Sequence, residues 1–78
     1  VVIYPNPSAN LLFITSSEKQ LARIELINES GMLCDSYAIE NTFTAQINIK
    51  NIEKGRYFLR LYDVNQALIS TKLFVKID

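Results

Sequence analysis

The sequence has no histidine and no tryptophan, and only one cysteine, two prolines and two glycines among 78 residues. Without histidine the commonest general base is missing. Ser-His-Asp and Cys-His arrangements and most zinc sites go with it. A single thiol, Cys34, permits no intrachain disulfide and no Cys-rich metal cluster. Charge of one sign is also lacking: eight Lys and Arg balance eight Asp and Glu. Phosphate affinity needs clustered cations, so nucleic acid is not an expected partner, and neither is a membrane held by a polybasic segment. The apolar runs are far too short to cross a bilayer, and the start shows no signal-peptide pattern, so no membrane insertion is expected. The chain does not begin with Met and reads as a piece of something longer. Composition predicts a soluble, non-catalytic β domain with no cofactor.

What is present is apolar content. Hydrophobic residues make up 49% of the chain, which suits a packed domain and argues against disorder. A chain this short buries only about 60% of the surface it exposes when unfolded, so its core must be dense. Residues 1–78 read as a single domain, without repeats, linkers or low-complexity tracts.

Period two dominates. Val1 to Tyr4 is a short apolar segment ended by Pro5-Asn6-Pro7, which cannot sit in a central strand because proline lacks the ladder N–H. Leu11 to Ser16 follows as a strand rich in β-branched residues. In Leu21 to Asn28, Ala22, Ile24 and Leu26 share one face, with Arg23 and Glu25 on the other. Asn28-Glu29-Ser30-Gly31 is a hairpin signal, Gly31 supplying a positive φ. Met32 to Glu40 returns as a strand with Leu33 directed inward. After Asn41-Thr42, Phe43, Ala45, Ile47 and Ile49 alternate. Asn51 to Gly55 forms a turn. Arg56 to Asp63 places Tyr57, Leu59 and Leu61 on one face and Phe58, Arg60 and Tyr62 on the other. After a turn at Asp63-Val64-Asn65-Gln66, Ala67 to Ile77 closes the domain. There Leu73, Val75 and Ile77 are expected on one face, and Lys72, Phe74 and Lys76 on the other. A helical reading of Leu21 to Leu33 would place Gly31 and β-branched residues inside a helix and is rejected. About seven short strands with tight turns predict an all-β, immunoglobulin-like antiparallel sandwich.

The ordered elements Tyr4-Pro5-Asn6-Pro7, Leu11 to Ile14, Ile24 to Gly31, Ile47-x-Ile49, Ile52-x-x-Gly55-x-Tyr57 and the Lys-flanked strand Lys72 to Lys76 span essentially the whole chain. Together they resemble the type A C-terminal sorting domain of the type IX (Por) secretion system of Bacteroidetes. One departure is the last hairpin, where many relatives carry Gly and this chain has Asn65-Gln66. Asn65 is the expected left-handed residue there.

The resemblance implies a secretion and sorting signal at the C-terminus of a fused cargo protein, working by being recognised and not by catalysis. It implies transit through the periplasm and recognition by the outer-membrane translocon. It also implies removal by a sortase-like cysteine protease, with the cargo released or held at the cell surface.

Each notable residue also has a plain structural reading. Pro5 and Pro7 shape the start of the fold and shield an edge strand, with Asn6 bonding backbone. Gly55 and Tyr57 resemble the tyrosine corner of Greek-key sandwiches. Cys34 has no activating partner and reads as a small strand residue. Asp35, Glu40 and Asp63 lack calcium-loop spacing. The expected recognition surface is the outward face of the last two strands. Arg60, Lys72, Phe74 and Lys76 are its named residues, with aromatic rings set among cations. The competing reading is an accessory carbohydrate-binding or adhesion module, disfavoured by the absence of Trp.

Overall fold

The computed structural model describes residues 1–78. Its strands are β1 (Val2–Tyr4), β2 (Leu11–Thr15), β3 (Leu21–Asn28), β4 (Leu33–Thr42), β5 (Thr44–Asn48), β6 (Gly55–Tyr62) and β7 (Leu68–Lys76). They form two antiparallel sheets, ordered β1-β2-β5 and β4-β3-β6-β7. This is the immunoglobulin-like arrangement with the fourth strand added to the third–sixth–seventh sheet.

Alternating side chains from both inner faces meet in one core. Leu12 and Ile14 come from β2, Leu21, Ile24 and Leu26 from β3, and Ile47 from β5, with Ile49 just beyond it. Tyr57, Leu59 and Leu61 come from β6 and Phe74 from β7. The expected alternation holds in β6. In β3 an irregularity between Leu21 and Arg23 puts Leu21, in place of Ala22, in the core row.

Two phase expectations are corrected. Leu33 is exposed, not inward. Leu26 pairs with Asp35 and Ile27 with Leu33, so Cys34 is the extra residue of a bulge. A one-residue slip moves a side chain to the opposite face. β7 is inverted along its second half. Phe74 pairs with the inward Tyr57 and Lys72 with the inward Leu59, while Leu73 pairs with Phe58. Directly paired residues share a face. Phe74 and Lys76 therefore lie inside, at 0% and 1% exposure, and Leu73 and Ile77 outside.

The β3–β4 and β6–β7 hairpin turns use one device. Asn28 Oδ1 accepts from the Ser30 and Met32 amides, and Asp63 Oδ1 from those of Asn65 and Ala67. The fourth residue of each is left-handed, Gly31 at φ 85° and Gln66 at φ 65°. Gln66, not Asn65, thus takes the position expected to need Gly or Asn. A left-handed non-glycine residue costs about 1–2 kcal/mol, so Gln66→Gly is expected to stabilise the domain by about 1 kcal/mol after its greater chain entropy is counted. A rise in Tm of about 4–8 °C in thermal melts checks this.

Candidate functional site

The Pro5-Asn6-Pro7 segment crosses from the three-stranded sheet to the free edge of β7. The edge-facing backbone groups of Leu73, Val75 and Ile77 would otherwise be open to another chain. Asn6 Nδ2 donates to the Leu73 carbonyl at 3.1 Å, and Asn6 Oδ1 accepts from the Val75 amide at 3.0 Å. The Ser8 amide donates to the Val75 carbonyl and the Ile77 amide to the Ser8 carbonyl, each at 2.9 Å. The Asn6 carboxamide thus stands in for one peptide unit of a missing neighbour strand, and Ser8 supplies the next.

Asn6 bonds backbone as expected, but of a strand at the far end of the chain. The residue type carried that signal, since only a carboxamide offers a donor and an acceptor spaced like a peptide; its partner could not be read locally. Asn6→Ala removes both bonds at an exposed edge where water can replace them, at a cost of about 1 kcal/mol. Hydrogen exchange at the Val75 amide is expected to quicken about five- to tenfold, while core amides of β3 change little.

Level with this clamp, near the start of β6, the Tyr57 hydroxyl donates to the Glu53 carbonyl at 2.7 Å, the tyrosine corner the sequence indicates. Gly55 has φ 150°, a backbone conformation that L side chains rarely adopt, so glycine relieves the backbone beside the corner. The Tyr57 ring stacks on Phe74 with centroids 5.5 Å apart.

The four expected recognition residues do not form one surface. Arg60 is exposed on the outward face and lies in no ion pair. Lys72 is half-buried on the inward row. Phe74 is a core residue and therefore unavailable to a partner while the strand is docked. Lys76 lies in the sandwich with its stem packed, its Nζ donating to the Ile77 carbonyl at 3.1 Å and meeting no carboxylate.

The outward face of β4-β3-β6-β7 is ordered in rows of direct partners. One row is Leu33, Ile27, Phe58 and Leu73; the next is Ser36, Glu25, Arg60 and Thr71; the third is Ala38, Arg23, Tyr62 and Leu68. In the last two rows, Tyr62 Oη donates to Glu25 Oε1 at 2.8 Å, and the Arg23 guanidinium lies 4.4 Å from the Tyr62 ring centroid. Arg23 Nη1 is 3.8 Å from Glu25 Oε2. Sequence reasoning singled out Phe58 and Arg60 on this face but missed Leu33 and Leu73, because it had both in the wrong phase. Cys34 is an exposed thiol beside it. On the other sheet the rings of Tyr4 and Phe13 stack on each other at 5.5 Å and are not spread into a sugar platform.

Fold, corner and clamped last strand define a small immunoglobulin-like sandwich whose first and last segments are tied together. Residues 2–76 match the family described as the secretion system C-terminal sorting domain. The chain belongs to that family and acts as a sorting signal of type IX secretion. No curated protein and no solved structure gives a significant match.

Proposed function

We propose that the domain serves a fused cargo as a folded export tag, recognised by the type IX outer-membrane translocon after transit through the periplasm. A sortase-like cysteine protease then removes it, leaving the cargo outside the cell or at its surface. The domain works by presenting a surface and performs no chemistry itself. The observation that carries this reading is the family match over residues 2–76, on a fold whose edge is closed by its own start. A closed β7 edge keeps the tag from adding strands to its neighbours during transit.

The test fuses residues 1–78 behind a periplasm-targeted fluorescent reporter in strains with and without a working type IX translocon. Export in the competent strain alone is the expected result. Periplasmic retention in both, with the domain shown to be folded, would overturn the reading. The size of the reporter outside the cell reports removal of the tag: an unshortened product would refute the protease step.

A further inference from the structure

The outward face of the four-stranded sheet carries an apolar row that no other part of the chain covers. Each strand contributes one member, Leu33, Ile27, Phe58 and Leu73, as direct cross-strand partners. The row crosses three inter-strand gaps, about 14 Å. Ile27 is shielded by its neighbours, but Leu33, Phe58 and Leu73 are 56%, 36% and 42% exposed, and Met32, next to Leu33, is 65% exposed. Single exposed apolar residues are ordinary; a contiguous row across a whole sheet is the mark of a contact surface.

Charge decides what kind of contact. Arg60 lies beside Phe58, one row over, with no carboxylate paired to it. The carboxylate of its own row, Glu25, is taken by the Tyr62 hydroxyl and Arg23. Glu29, on the opposite side of the row from Arg60, faces Arg56 at 3.6 Å. Glu40, also outward by strand alternation, sits beyond Ala38 at the far end of β4. A second copy laid face to face would therefore bring an apolar row but no free carboxylate at the level of Arg60. One isolated cation is also a poor match for an anionic lipid surface, where each basic residue adds only about 1 kcal/mol.

We infer that this face is where the domain meets its receptor, a protein surface with an apolar strip flanked by a carboxylate that pairs with Arg60. The inference rests on the sorting reading and names the surface that reading uses. It retains Arg60 from the surface expected from sequence and replaces Lys72, Phe74 and Lys76 with Leu33, Phe58 and Leu73.

The experiment uses the same reporter fusion in the translocon-competent strain. A triple variant, Leu33→Thr, Phe58→Thr and Leu73→Thr, keeps strand-favouring residues on a solvent face. Val64→Thr, an exposed turn residue away from the face, is the control. The triple variant should melt as a folded domain and be exported about tenfold less or worse, with Val64→Thr unchanged. Arg60→Glu should reduce export similarly and Arg60→Lys should preserve most of it, an arm that decides the matter even if the triple variant fails to fold.

If the unmodified fusion is not exported, the sorting reading falls and takes this inference with it. If it is exported and the folded triple variant or Arg60→Glu is exported equally well, only this inference falls. Sedimentation of the purified domain gives the remaining outcome. A dimer dispersed by the triple variant would assign the face to a second copy and overturn the receptor assignment.

Discussion

Phe74→Ala is expected to cost about 3–5 kcal/mol, while Leu73→Ala, one residue earlier, costs less than about 1 kcal/mol. The difference follows from the phase of β7 alone. Phe74 is fully buried in the core and stacked on Tyr57 at 5.5 Å, whereas Leu73 lies on the outward face. Removing the ring leaves a cavity in the core beside the Tyr57 ring. A domain of this length has a total stability of only about 4–12 kcal/mol, so the variant is expected to be unfolded in part at 37 °C. Thermal melts should show a fall of more than about 12 °C for Phe74→Ala and a few degrees at most for Leu73→Ala. Equal effects at the two positions would mean that β7 does not have this register.

The same pair explains an ambiguity in export experiments. Loss of export on Phe74→Ala, taken alone, reads as loss of a contact with the secretion machinery. With the ring inside the core, the expected cause is an unfolded tag, and a melt of the purified variant tells the two apart. Lys76 behaves as a related case. Its stem is packed inside the sandwich, so an exported or retained Lys76→Ala variant reports first on how β7 is docked.

The seven strands and their order of appearance were legible because period-two alternation is strong where one face is apolar and the other charged. β6 shows this best: Tyr57, Leu59 and Leu61 alternate with Arg56, Phe58 and Arg60, and only one phase buries no charge. β7 offers apolar residues in both phases. The row Leu73, Val75 and Ile77 looks like the better core row until its partners are known. Register settles it, through the irregularity between Leu61 and Tyr62 that resets pairing from Ser70 to Leu68. Such a step is a property of two strands together, so neither strand displays it alone. Leu33 fails in the same way, flipped by the bulge at Cys34.

The motif residues divide along a similar line. Gly55 and Tyr57 act within a few residues of each other, and a Gly-x-Tyr spacing is enough to indicate the corner. Asn6 acts across nearly the whole chain, on Leu73 and Val75, and its residue type could indicate a backbone partner without locating it. In the last turn the hydrogen bonds that Asp63 accepts fix which residue turns left-handed, and they place that strain on Gln66, the residue after Asn65.

Tyr57→Phe is expected to destabilise the domain by about 1–3 kcal/mol while leaving its core packing intact. The ring stays stacked on Phe74; what is lost is the hydroxyl that donates to the Glu53 carbonyl, which is left without that partner. A fall in Tm of at least about 4 °C checks the magnitude. The variant also has a signature in pH. Burial pushes the Tyr57 hydroxyl above its ordinary value near 10, and the nearby Cys34 and Glu53 act in the same direction. Burial likewise raises Tyr37, helped by the charge and the hydrogen bond of Asp35 and by Cys34. In the folded state both groups hold their protons to higher pH than in the unfolded chain. Their stabilisation is fully present below about pH 10 and is lost as pH rises through the folded values, because there the unfolded chain binds fewer protons. Melts of the wild type should therefore fall in Tm on going from about pH 9 to pH 11, and those of Tyr57→Phe should fall less, keeping the part due to Tyr37. An unchanged slope in Tyr57→Phe would show that the hydroxyl is not held by the fold, and would remove the corner as the lock that joins the turn after β5 to the strand carrying Phe58 and Arg60.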